Sequence, residues 1–94
     1  MDFNLGNGFI ETYVGEIIVF NVRIRKEDTL KPAFDVLPFL VNIRNKEDYL
    51  KLLDYGLFNI ELEEGKMLVD CKLNDIEFID ENMDVCGYYS HGKF

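Results

Sequence analysis

Two cysteines and one histidine are the side chains best suited to covalent or metal chemistry in this 94-residue sequence: Cys71, Cys86 and His91. Brought together, they would offer a thiol–imidazole pair for nucleophilic attack. With one added acid they would offer a zinc ligand set. Their spacing supports neither. No C-x2-C pair exists, and no local signature of a catalytic cysteine surrounds either thiol. Cys71 falls on an apolar alternation, which predicts a buried, inert thiol. A bridge to Cys86 is conceivable sterically but disfavoured in a reducing compartment.

Other chemical candidates fail on a specific residue. Asp80, Asn82 and Asp84 match the first half of a calcium loop, but Val85 stands where the loop needs glycine and His91 where it needs glutamate. Gly6-Asn7-Gly8 resembles part of a phosphate loop, yet a strand-like run follows it instead of a helix. The basic cluster Arg23, Arg25, Lys26 and Lys31 lacks aromatic interleaving, and reads as a solvated strand end or a balance for acids elsewhere. Carboxylates are plentiful, but general acid catalysis needs one raised by burial, and those that can be placed lie on an exposed sheet face. No Walker loop, serine elbow or HExxH occurs. The expectation is therefore a non-enzymatic protein with no catalytic residue, cofactor or metal. A Cys/His-dependent enzyme or metal protein stands as the remotest alternative.

The elements that would position functional residues are more legible. Residues 45–56, NKEDYLKLLDYG, read as one helix. Asn45 is a favourable N-cap, Glu47 and Asp48 sit at the positive end of the dipole, and Gly56 supplies a left-handed terminator. Tyr49, Leu52, Leu53 and Tyr55 recur at helical spacing and make the buried stripe.

Residues 57–80 read as three antiparallel strands. With Glu64-Gly65 in a two-residue turn, Leu62 faces Met67, Ile60 faces Val69 and Phe58 faces Cys71. With Asn74-Asp75 in the next turn, Leu73 faces Ile76, Lys72 faces Glu77 and Cys71 faces Phe78. The opposite face then carries Glu61, Glu63, Asp70, Glu77, Lys66 and Lys72 around Leu57, Leu68 and Ile79. That is an apolar spot with an acidic rim, which is how contact surfaces are built. Scattered surface residues, or cover by another segment, are the commoner explanation of such a face.

Upstream, residues 1–8 read as a loop or edge segment. Phe9–Val14 and Ile17–Arg25 read as a hairpin, with a loop at Val14-Gly15-Glu16 that pairs Ile10 with Phe20. Ile18, Phe20, Val22 and Ile24 would face inward. Residues 26–38 form an irregular connection bracketed by Pro32 and Pro38, with Phe34, Val36 and Leu37 packed down. Phe39–Ile43 is a third strand with Phe39, Val41 and Ile43 inward. Val85–Tyr89 is a last strand, and Tyr88, Tyr89 and Phe94 give the tail enough apolar area to dock. The expected fold is α+β: one domain over 1–94, an antiparallel sheet of about five to seven strands in the order β-β-β-α-β-β-β, packed against the single helix at 45–56, with one sheet and a partial barrel both open to the two hairpin regions.

Charge limits the partner. The net charge is −8. Residues 1–46 hold six acids and six bases; residues 47–94 hold twelve acids and four bases. Direct nucleic-acid binding is disfavoured, because phosphates would be repelled. A basic protein surface is the natural partner. No apolar run approaches a membrane span, and the acidic start MDFNLGNG lacks an export signal core, which predicts a cytoplasmic protein. The expected function is an inhibitor or immunity-type factor that occludes a basic, nucleic-acid-binding type of site on a partner. Glu61, Glu63, Leu68, Asp70, Glu77 and Ile79 are the expected contacts. A homo-oligomer built on the same face or on an exposed edge strand is the alternative.

Overall fold

In the computed structural model, which describes residues 2–30, 36–74 and 83–93, the alternating segments pair into one antiparallel sheet of seven strands. In chain order these are β1 (Asp2–Thr12), β2 (Gly15–Arg25), β3 (Leu37–Ile43), helix α1 (Lys46–Tyr55), β4 (Phe58–Leu62), β5 (Met67–Leu73), β6 (Asp84–Tyr89) and β7 (His91–Lys93). The spatial order is β4-β1-β2-β3-β6-β5-β7, and β4 also pairs with β5. The sheet thus closes on itself as a six-stranded barrel, with β7 continuing β6 along the same edge of β5. Closure pairs strand edges that an open sheet would expose.

The seam between β1 and β4 depends on Gly8. It pairs with Leu62, and a Cβ there would stand 2.5 Å from the Glu61 carbonyl oxygen. The glycine read above as part of a break is therefore where two backbones approach most closely. β1 begins at Asp2 and runs through Gly6, where the Asn4 side chain accepts a hydrogen bond from the Gly6 amide at 2.8 Å. Residues 2–8 are part of a strand paired on both sides, where a loop or edge segment was expected.

Two bulges overturn the simple alternation. In β2, Asn21 takes a left-handed φ of 50°. Ile17 and Val19 face inward before it and Val22 and Ile24 after it, while Ile18 and Phe20 are only half-buried. The connecting turn is Tyr13-Val14, so Ile10 pairs with Ile17, not Phe20. The Thr12 hydroxyl secures that turn, donating to the Gly15 carbonyl at 2.7 Å and accepting from the Val14 amide at 3.3 Å.

In β5, Asp70 has φ 55°, and Val69 and Asp70 together oppose Asn59. Phe58 still faces Cys71, but Ile60 faces Leu68 instead of Val69. The turn spans Glu63–Gly65, not two residues. Leu68 is consequently in the core at 0% exposure, not on the outer face. The extra residue lets Leu68, Cys71 and Leu73 all point inward.

The expected third strand at Ile76–Ile79 lies outside the described residues. The edge of β5 assigned to it is occupied by β6 and β7: Lys72 pairs with Tyr88 and Leu73 with Gly87. The Phe34 and Phe94 packing expectations also fall outside the described residues. Val36 is exposed, contrary to expectation, whereas Leu37 is buried.

The helix follows its local signals. The Asn45 side chain accepts from the Asp48 amide at 2.9 Å, and Gly56 ends the helix at φ 93° with its N–H on the Leu52 carbonyl. Tyr49 and Leu52 are fully buried, and Leu53 and Tyr55 pack partly against the core. The Tyr49 hydroxyl donates to the Asn74 carbonyl at 3.2 Å. The helix therefore lies over the barrel end where β3 stops and β4 starts, and does not cover an open sheet. Truncating Leu52 to alanine would cost about 2–5 kcal/mol, the range for buried leucines. Near the other end, the 3-10 turn Lys26–Leu30 buries Asp28 and pairs it with Arg25 at 3.1 Å.

None of the helices among the described residues is long and apolar enough to cross a membrane.

Candidate functional site

The β1–β4–β5 surface carries a cleft of about 560 Å³. Glu11 comes from β1, Asn59 and Glu61 from β4, and Met67 and Asp70 from β5. The walls are Tyr13 in the first turn and, where the helix ends, Tyr55 and Leu57. Each wall follows from local chemistry. The Thr12-stabilised turn projects Tyr13, which is 92% exposed. Gly56 stops the helix and releases Leu57, 61% exposed, beside the strand start. The Tyr13 and Tyr55 rings contact each other, with centroids 4.8 Å apart and planes tilted by 53°.

Electrostatically the cleft has one sign. Glu11, Glu61 and Asp70 are the charged groups among the described residues that line it. None of the three forms an ion pair with a described base. Glu11 moreover faces Glu16 directly across β1 and β2, a like-charge pair at the exposed end of the hairpin. The helix ends at this wall with no base in its last turn, so its partial negative charge adds to the carboxylates. The Asn59 side chain accepts from the Asp70 amide at 3.1 Å and holds the bulge that presents the Asp70 carboxylate.

Leu57 and Asp70 also border a second, more apolar groove, lined by Val36, Leu73 and Tyr88 along with Lys72. The two hollows thus adjoin at Leu57 and Asp70.

Of the expected contacts, Glu61 and Asp70 line the cleft together. Glu63 is exposed in the turn beyond β4 and does not line it. Leu68 is in the core, for the bulge reason given above. Glu77 and Ile79 lie outside the described residues. Glu11, Tyr13, Tyr55 and Met67 are members that the expectation did not include. Tyr13 was hidden by placing the turn two residues late, and Tyr55 by counting it only as core stripe.

The Cys/His set is not assembled. Cys71 is buried, and burial pushes its thiol up to about 12. Cys86 alternates with the inward-facing Val85 and Gly87, which puts its thiol on the other side of the sheet, and partial burial raises its pKa. His91 is exposed on β7 opposite Val69. Among the described residues, no group of three or more His, Cys, Asp or Glu is arranged to hold a metal.

The basic cluster is absorbed by neighbouring acids. Arg23 pairs with Asp84 at 2.6 Å. Arg25 pairs with buried Asp28, whose hydrogen bond and charge raise the guanidinium pKa further. Asp84 thus serves an ion pair at the start of β6; Asp80 and Asn82 lie outside the described residues. Lys31 does as well.

No protein-family model, curated protein or solved structure matches the chain.

Proposed function

We propose that this chain is a small, acidic, non-enzymatic binding protein that occludes a basic site on a partner protein, as an inhibitor or immunity-type factor does. The observation that carries the reading is the cleft: three carboxylates, an exposed tyrosine and an exposed leucine, with no base among them. Apolar and aromatic groups at a centre with charged groups around them supply anchoring and steering respectively. Stability alone would not favour leaving such acids without bases, because each could have been matched across strands. The excess of acids over bases in residues 47–94 extends the same field beyond the cleft. The basic site on the partner is of the kind that binds nucleic acid, and the chain itself makes no direct nucleic-acid contact.

The test is capture from native lysate on immobilised full-length chain, eluted with a salt gradient and identified by mass spectrometry. The expected result is one stoichiometric basic protein, released at moderate salt, that rebinds the purified chain. Recovery of the bait alone, from lysate made under conditions that express the chain, would overturn the reading.

A further inference from the structure

We infer that the cleft receives an arginine side chain of the partner, and that the adjoining groove receives an apolar residue next to that arginine in the partner's chain. This deepens the binding reading above and rests on it.

Three features select the cation. Glu11, Glu61 and Asp70 border one hollow from three adjacent strands. The helix C-terminal end at Tyr55 and Gly56 adds partial negative charge to the same hollow. The exposed ring of Tyr13 offers a flat, electron-rich face, already braced by Tyr55. A guanidinium matches all three. It is planar, stacks on an aromatic face, and presents donors in several directions at once, whereas an ammonium is a compact and strongly hydrated point charge. A planar group with five donors can bridge carboxylates on different strands. The volume, about 560 Å³, accommodates a long side chain with its backbone at the rim.

The second hollow selects the neighbour. It shares Leu57 and Asp70 with the first and is lined by Val36, Leu73 and Tyr88 together with Lys72, Asn74 and Ser90. Val36, Leu57 and Tyr88 are all exposed there. An extended segment crossing Asp70 would place its arginine on one side and an apolar side chain on the other.

The experiment is a titration of the ¹⁵N-labelled full chain with blocked leucyl-arginyl-leucine, observed by amide chemical shifts. Blocked leucyl-citrullyl-leucine keeps the shape without the charge, and leucyl-lysyl-leucine keeps the charge without the plane. The expected shifts fall on residues 11–13, 55–61 and 67–70, with the arginine peptide tighter than the lysine peptide. The citrulline peptide should bind at least tenfold more weakly. Tyr13→Ala, a change at an exposed turn, should weaken the arginine peptide about twofold to fivefold. Glu61→Gln should weaken it by a similar factor. An alanyl-arginyl-alanine peptide should bind more weakly than its leucine counterpart and leave Tyr88 unshifted. Equal binding of the citrulline peptide, or shifts spread equally over Glu27, Glu47 and Glu63, would overturn the inference. If the peptides fail while a partner from lysate still shifts the cleft amides, the arginine assignment falls and the binding reading stands. If that partner shifts amides elsewhere, the binding reading itself loses its site.

Discussion

Two polar surfaces of the same barrel are built around the same device and end differently. Each contains a bulge with a left-handed residue other than glycine: Asn21 in β2 and Asp70 in β5. Around Asn21 the polar groups satisfy one another. The Asn7 side chain accepts from the Asn21 amide at 3.2 Å, and the Asn21 side chain donates to Asn42 at 2.8 Å. Asn42 in turn donates to the Asp84 carboxylate, which also accepts from Arg23 at 2.6 Å. Four strands are laced by this ladder, and both of its charges are used internally. Around Asp70 the backbone amide is satisfied by Asn59, but the carboxylate and its neighbours Glu11 and Glu61 meet no base. A fold able to satisfy one bulge and not the other is consistent with the second being kept for an external cation.

The contrast can be broken at several points. The largest effect is expected beneath the cleft. Gly8→Ala would drive a methyl into the Glu61 carbonyl and force β4 off β1, costing about 3 kcal/mol in chemical denaturation. A negligible change would mean the seam is loose. Next comes the ladder. Asp84→Ala removes the shared acceptor of Arg23 and Asn42 and should cost about 2 kcal/mol, after allowing for its partial exposure. Glu61→Gln, at a carboxylate with no base beside it, should change stability by less than about 0.5 kcal/mol. Comparable losses in the two variants would erase the distinction between the surfaces.

A smaller effect is expected inside the barrel. The Tyr89 hydroxyl is buried with no hydrogen-bond partner among the described residues. Tyr89→Phe should therefore stabilise the fold by about 1 kcal/mol. Burial, with the Asp28 charge adding to it, pushes the Tyr89 phenol up to about 12 from its ordinary 10.0. The Cys71 thiol is likewise up at about 12 from 9.0. Both groups hold their proton more tightly when folded, so their contribution is intact below about pH 9 and is lost as pH rises towards 12. Melting temperatures measured across that window should fall, and fall less steeply in the Cys71→Ala/Tyr89→Phe variant. An identical slope in both would assign the alkaline loss to surface groups. Asp70→Gly, which relieves the left-handed backbone, should leave stability equal or raise it by up to about 1 kcal/mol.

Local signals made part of this legible. The helix could be read because cap, dipole acids, stripe and terminator lie within twelve residues, from Asn45 to Gly56. The inward set of β3 could be read because no bulge interrupts its alternation. The bulges could not, since neither Asn21 nor Asp70 advertises a positive φ as glycine does. One shifted residue then moved Leu68 from the outer face to the core and exchanged the inward set at the start of β2. Barrel closure was hidden for another reason: it rests on Gly8 and Phe9 meeting Leu62 and Glu61, a pairing distant in sequence. Glu61 and Asp70 were found because charge placement survives small register errors. Tyr13 was not, because its role depends on which residues form the turn.

The central claim is that the cleft binds, and not the acidity of the chain at large. It is tested most directly by capturing the lysate partner on three versions of the chain: wild type, Glu61→Lys/Asp70→Lys, and Glu27→Lys/Glu63→Lys. Both double variants change net charge by the same amount, but only the first alters the cleft. The account predicts that the cleft variant loses the partner and that any residual binding shows a flatter salt dependence, while the matched variant retains it. Equal loss in both would reduce the interaction to bulk charge, and retention by the cleft variant would remove this surface from the function.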